Sequence, residues 1–205
     1  MSENYEILID GSVINESGKI IFFSLQRFID DISYGNCCFI CGAKPSEKPF
    51  NNEHVISDWI LRKFNLGNHF ISLPNKRNVN YSKLKIPCCE ECNSFLGSTI
   101  EKPISNILNK DYQAFKKYTE ENGVWLIFVW LNLIFLKMHL KDKIFRFEND
   151  KRQSDLKISD LYDWQSLHHI HCIARSKFTG RELDSSVLGS VLILPVRQSP
   201  EIIIM

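Results

Sequence analysis

The chain of 205 residues lacks the marks of several protein classes. Its start, MSENYEILID, has no basic stretch running into an apolar one, so no secretory signal is expected and the cytoplasm is the expected compartment. No apolar run reaches the roughly 20 residues that a bilayer requires. The longest, Val124 to Leu136, stops after 13 residues at Lys137 and carries Asn132 inside, so it reads as a buried core helix with no membrane partner. Internal repeats and low-complexity tracts are absent, which excludes a repeat architecture. A hydrophobic content of 44% with 12% aromatics excludes a disordered chain and predicts a folded core.

Net charge is also small, at +1, until the chain is divided. Residues 1–43 carry 2 basic and 6 acidic groups, residues 44–117 carry 12 and 7, and residues 118–205 carry 11 of each. The middle is therefore basic while the start is acidic, the pattern of a chain that turns one face to a polyanion.

The cysteines lie in that basic middle. Of seven, all but Cys172 fall in two short clusters, and in a reducing compartment such clusters point to metal rather than disulfides. Cys38 and Cys41 form one C-x2-C pair, followed by Gly42, a residue free to take the positive φ of a tight metal-binding turn. Cys89 and Cys92 form a second. Four thiolates are the ligand set of a closed structural zinc site, and the 47 residues between Cys41 and Cys89 imply a sub-structure inserted between the knuckles. Cys37 and Cys88 offer alternative C-x3-C pairings; with the x2 spacing preferred, they become ordinary buried residues. No βαβ pattern surrounds either pair, which argues against a thioredoxin-like redox role.

Local patterns place these motifs. Tyr5, Ile7 and Ile9 before Asp10-Gly11 predict a hairpin, and "KIIFFSLQRFIDDI" predicts a strand running into a helix. Residues 35–97 have little continuous apolar sequence and need a metal to hold them. Within them "SDWILRKFNLG" predicts a short helix, capped by Ser57 or Asp58 and ended at Gly67. Periodic apolar residues after Pro103 predict one helix to about Tyr118. The tail runs "HHIHCIA", "SVLGSVLILPV" and "EIIIM" predict strands, with His168, His169, His171 and Cys172 on an alternating strand rather than at a second metal site. The apolar terminal run predicts a homodimer or a second protein subunit. The domain division expected is an N-terminal element at 1–34, a zinc-stapled core at 35–118 and a C-terminal α+β part at 119–205.

Between the cysteine pairs stands Glu53-His54. A carboxylate beside an imidazole, with the carboxamide of Asn93 directly after the last cysteine, is a set able to hold a divalent ion and activate water. The succession C-x2-C, Glu-His-Val-Ile, C-x2-C-Asn resembles the HNH, or ββα-metal, nuclease family, in particular its zinc-stapled members, over about residues 37–101. That resemblance implies an α+β fold with a ββα-metal core, zinc on Cys38, Cys41, Cys89 and Cys92, and His54 as general base. It also implies Glu53 and Asn93 as ligands of a catalytic Mg²⁺ or Mn²⁺. The family's middle Asn has no single counterpart here, and Asn75, Asn78 and Asn80 are the candidates. The activity implied is endonucleolytic hydrolysis of DNA, with roles in phage or antiviral defence or mobile elements. The rival expectations are an HNH-like enzyme acting on RNA and a non-catalytic zinc module for nucleic acid or protein. Arg62, Lys63, Lys76, Arg77, Lys83 and Lys85 are the candidate phosphate contacts.

Overall fold

Three short strands open the structure as an antiparallel meander: β1 (Tyr5–Ile7), β2 (Val13–Asn15) and β3 (Ile20–Phe22), with Tyr5 opposite Asn15 and Val13 opposite Phe22. The first turn forms where expected. Gly11 takes φ +83°, and the Asp10 carboxylate accepts from the Ser12 amide at 2.8 Å. From β3 the chain passes Ser24, whose hydroxyl caps α1 (Leu25–Arg27), and continues as a π-helical turn over Phe28–Ser33. The computed structural model describes residues 4–150 and 152–181, together with residues 183, 189 and 191.

Beyond the first cysteine pair, β4 (Phe50–His54) runs antiparallel to β7 (Lys85–Cys89), with Phe50 opposite Cys89 and His54 opposite Lys85. The insertion between them holds α2 (Asp58–Lys63) and a two-stranded hairpin of β5 (Phe70–Ser72) and β6 (Asn78–Asn80). Ser57 precedes α2 as expected, without a side-chain capping bond, but the helix ends at Lys63, short of Gly67. β7 leads without a loop into α3 (Glu90–Leu96), a π-helical turn at Gly97–Glu101 and α4 (Lys102–Leu108). Residues 96, 97, 101 and 102 all keep right-handed helical angles, so this is one rod with a bulge. Pro103 has no N–H to donate, and the ladder widens just before it.

Two expectations need correction. The single helix from 104 to about 118 is broken: after α4 the chain turns at Asn109–Lys110, and Asp111 starts α5 (Tyr112–Asn122) by accepting from the Ala114 amide at 2.8 Å. The histidine run is not a strand. Residues 168–172 lie inside α7 (Trp164–Thr179), capped by Asp163 at its start and by Gly180 in the left-handed region at its end. The other two expected tail strands, residues 186–196 and 201–205, lie outside the described residues apart from Gly189 and Val191, and so does the terminal run behind the dimer expectation.

The apolar run does form a buried helix, α6 (Trp125–Lys141), which places Ile127, Val129, Leu133, Ile134, Leu136 and Leu140 in the core. Full burial of each such side chain stabilises the fold by roughly 1.5–3 kcal/mol. Among the described residues no single helix is long and apolar enough to cross a membrane. Helices and short antiparallel hairpins share one hydrophobic cluster, an α+β arrangement, and that cluster draws Phe28 from the first segment, Ile40, Leu84 and Ile104 from the middle, and Leu136 and Ile173 from the last.

Candidate metal centre and the hairpin that carries His54

The first knuckle turns tightly because Gly42 adopts φ +75° and donates its amide to the Cys38 carbonyl at 2.9 Å, while the Cys38 amide bonds to Ala43 O at 2.9 Å. The second pair sits where β7 becomes α3, with Cys89 as the residue before the helix and Cys92 in its first turn. The sulfurs of Cys38, Cys41, Cys89 and Cys92 all lie within 4.8 Å of one another, and Cys38, Cys89 and Cys92 are buried. A tetrahedral zinc–thiolate site with bonds of ~2.3 Å separates its sulfurs by about 3.8 Å. Cys41 Sγ and Cys89 Sγ are 3.6 Å apart. The quartet therefore fits an ion such as zinc in spacing and in ligand chemistry. Hydrogen bonds from Cys41, Cys88 and Cys92 hold the Cys38 thiol far below its usual pKa, whereas Cys41 is pushed up to about 12, first by its bond to Cys38. Thiols packed this closely ionise together only around a cation.

Cys37 and Cys88 are buried beside the quartet, as expected of spare cysteines: the Cys37 thiol donates to Asp31 O at 2.9 Å, and Cys88 Sγ stands 3.9 Å from Cys38 Sγ. Gly42 has no room for a side chain, since a Cβ there would stand 2.9 Å from Phe23 Cζ. Gly42→Ala is expected to lower stability by roughly 1–2 kcal/mol through strain at positive φ and the clash, read as a lower melting temperature of the zinc-loaded protein.

α7 holds this knuckle from behind. His171, fully buried, bonds through Nε2 to Phe39 O at 3.0 Å, which requires the proton on that nitrogen and leaves buried Nδ1 without a partner. His168 Nε2 bonds to Phe23 O at 2.7 Å. Arg175, 1% exposed, donates to Ile21 O and Ile40 O, each at 3.0 Å, and also to Ile20 O. It forms no ion pair with a carboxylate among the described residues, and its guanidinium lies over the Phe23 ring at 5.1 Å. The run read as a strand is therefore the face of a helix that grips backbone carbonyls of β3 and of the knuckle.

Successive residues of a strand face opposite sides, and directly opposed residues of an antiparallel pair face the same side. Asn51 and Glu53 therefore share one face of the β4–β7 hairpin, and His54 and Lys85 share the other. Asn93 joins the first group, because its Nδ2 donates to Asn51 Oδ1 at 2.6 Å. His54 is half-buried, and burial followed by the nearby Lys85 cation holds its pKa below the usual 6.5.

Glu53 is engaged elsewhere. It is 7% exposed, and its Oε1 accepts from Lys137 Nζ at 2.7 Å. The same ammonium donates to His54 O at 2.7 Å and stands 3.7 Å from Glu101 Oε1. Glu101 Oε1 also accepts from Ser57 Oγ at 2.6 Å, and Ser57 Oγ in turn accepts from Trp130 Nε1 at 3.4 Å. Burial raises the Glu101 pKa, with Lys137 pulling it back. This chain of groups escaped the sequence analysis. A single cation ending the apolar run at Lys137 was its only visible sign, because nothing local says what lies 84 positions away.

The basic residues scatter. Arg62 pairs with Asp58 at 2.7 Å, and Lys63 donates to Leu108 O at 2.9 Å at the end of α4. Lys76, with φ +64°, and Arg77 are exposed in the β5–β6 turn, and Lys83 is exposed before β7. Only Lys85 stands directly across from His54. The candidate middle asparagines, all in the insertion, each have a hydrogen-bond partner. Asn75 donates to Arg146 O at 2.6 Å, Asn78 accepts from Ser72, and Asn80 accepts from the Ser82 amide.

Compared with known families, with curated proteins and with solved structures, the chain matches none.

Proposed function

We propose that this chain is an HNH-type endonuclease that hydrolyses DNA phosphodiester bonds, with His54 as the base that takes the proton of the attacking water. The observation that carries the reading is the antiparallel pair β4–β7 continued by α3, closed by a thiolate quartet, with His54 and Lys85 side by side on its half-buried face. The lowered pKa of His54 makes its imidazole neutral, and so able to accept a proton, at pH 7. Lys85 supplies positive charge where a phosphate beside His54 would lie, and Lys76, Arg77 and Lys83 extend that charge along the insertion.

The zinc expected at the quartet would hold α3 against the hairpin and take no part in the reaction. The second ion of the resemblance, Mg²⁺ or Mn²⁺ on Glu53 and Asn93, fits less well. Glu53 is buried against the Lys137 ammonium, on the face of β4 opposite to His54, so no step is assigned to that ion.

The test is cleavage of supercoiled plasmid by protein of verified zinc content, with and without added Mg²⁺ or Mn²⁺, and with single-stranded RNA as a second substrate. His54→Ala is expected to slow cleavage by roughly 10²- to 10⁴-fold while keeping its zinc. The wild-type rate should rise with pH and reach its half-maximum below 6.5, because proton loss creates the base. Zinc-loaded protein that retains DNA in a gel but cuts nothing would identify a non-catalytic binding module. Cleavage confined to RNA would identify a ribonuclease.

A further inference from the structure

We infer that Lys137 is the resident cation of Glu53, so that the carboxylate at the metal-ligand position of the resemblance is a fixed strut beneath His54 and takes no divalent ion in the native chain. The inference rests on the nuclease reading only for the importance it gives to His54; the ion pair itself stands without it.

Three features of the site carry it. Lys137 is 2% exposed and comes from the buried face of α6, so its ammonium is held in the core by an apolar helix. Its ammonium donates to two oxygens, Glu53 Oε1 and His54 O, each at 2.7 Å, and forms an ion pair with Glu101 Oε1 at 3.7 Å. A divalent ion on Glu53 would sit within a few ångströms of that ammonium in a region of weak screening, and the two cations would repel.

The bond from Lys137 to the carbonyl of His54 gives the strut its function. The backbone of the proposed base is tied to the same nitrogen that holds Glu53, and through Glu101, Ser57 and Trp130 the tie runs on to α2 and back to α6. A base positioned in this way sits on the rigid core rather than on a loop. Lys137 is thus a positioning residue.

The experiment is binding of Mn²⁺, read by electron paramagnetic resonance and calorimetry, to zinc-loaded wild type, Glu53→Gln, Lys137→Met and the double variant. The expected result is that wild type and Glu53→Gln bind Mn²⁺ alike. Lys137→Met should gain a site at least tenfold tighter, made from the oxygens that the ammonium leaves, and the double variant should lose it. A wild-type Mn²⁺ site that Glu53→Gln abolishes overturns the inference, as does a folded Lys137→Met protein that gains none. Should Lys137→Met fail to fold, the comparison of wild type with Glu53→Gln decides alone. Ion binding is the readout, so a failure of the nuclease reading in the plasmid assay leaves this result intact.

Discussion

Cys92→Ser is expected to yield a chain that does not fold at 37 °C, and removal of zinc from the wild type by a strong chelator should have the same effect. The quartet ties the knuckle at 38–42, which α7 and the Pro87 carbonyl of β7 also hold, to the start of α3. A structural zinc site contributes about 10–16 kcal/mol of apparent binding energy at neutral pH, and a domain's whole stability is about 5–15 kcal/mol. Losing one of four thiolates therefore removes a share comparable to the total. The far-ultraviolet circular dichroism spectrum and metal content of Cys92→Ser, set beside Cys172→Ser, provide the check. Cys172 is half-buried outside the quartet, so its serine variant should keep one zinc per chain and melt close to wild type. A folded Cys92→Ser protein with a normal melting temperature would remove the structural metal from the account.

Acid should unfold the protein well above the pH at which ordinary carboxylates titrate, and His171 should carry much of the effect. Burial, with Arg175 adding repulsion, lowers its pKa to about 3, against 6.5 in an unfolded chain. Between those values the unfolded state binds a proton that the folded state does not, so stability is complete above 6.5 and falls as pH drops through the window. The slope for one group is about 1.4 kcal/mol per pH unit, which sums to roughly 5 kcal/mol across the window. Glu101 and Asp142 act in the opposite sense: burial raises their folded pKa values, so protonating them favours the folded state. Urea midpoints for wild type and His171→Gln at pH 7, 5.5 and 4.5 isolate the histidine, since the losses of thiolates and of other groups are common to both proteins. The variant should start lower, for want of a matched donor to Phe39 O, and decline less steeply. Parallel declines would mean that His171 is not the proton acceptor.

Much of this organisation is legible in sequence because its signals are local. Asp10-Gly11 between alternating strands, the spacing of Cys38, Cys41, Cys89 and Cys92, and the run from Trp125 to Lys141 each announce an element within a few residues. Asp111 could have been read as a capping residue that breaks the long helix; periodicity alone runs straight through it. The histidine run misled because His168, Ile170 and Cys172 alternate with His169 and His171, as in a strand. On a helix His168, His171 and Arg175 fall on one side, and only the carbonyls of β3 and the knuckle reveal what that side grips. The partner of Glu53 was beyond reach for a different reason. A carboxylate beside a histidine reads as a metal ligand until a cation from a distant helix is seen against it, and tertiary contacts decide such matters, not spacing.

The buried charge of Arg175 bears on how the quartet would respond to metal. A zinc ion with four thiolates carries a net charge of −2, and a guanidinium buried among carbonyls, with no carboxylate against it among the described residues, is a charge of opposite sign in the same neighbourhood. Each lowers the cost of burying the other. With zinc on the quartet, docking of α7 and loading of the ion would be linked equilibria, each favouring the other by the same factor.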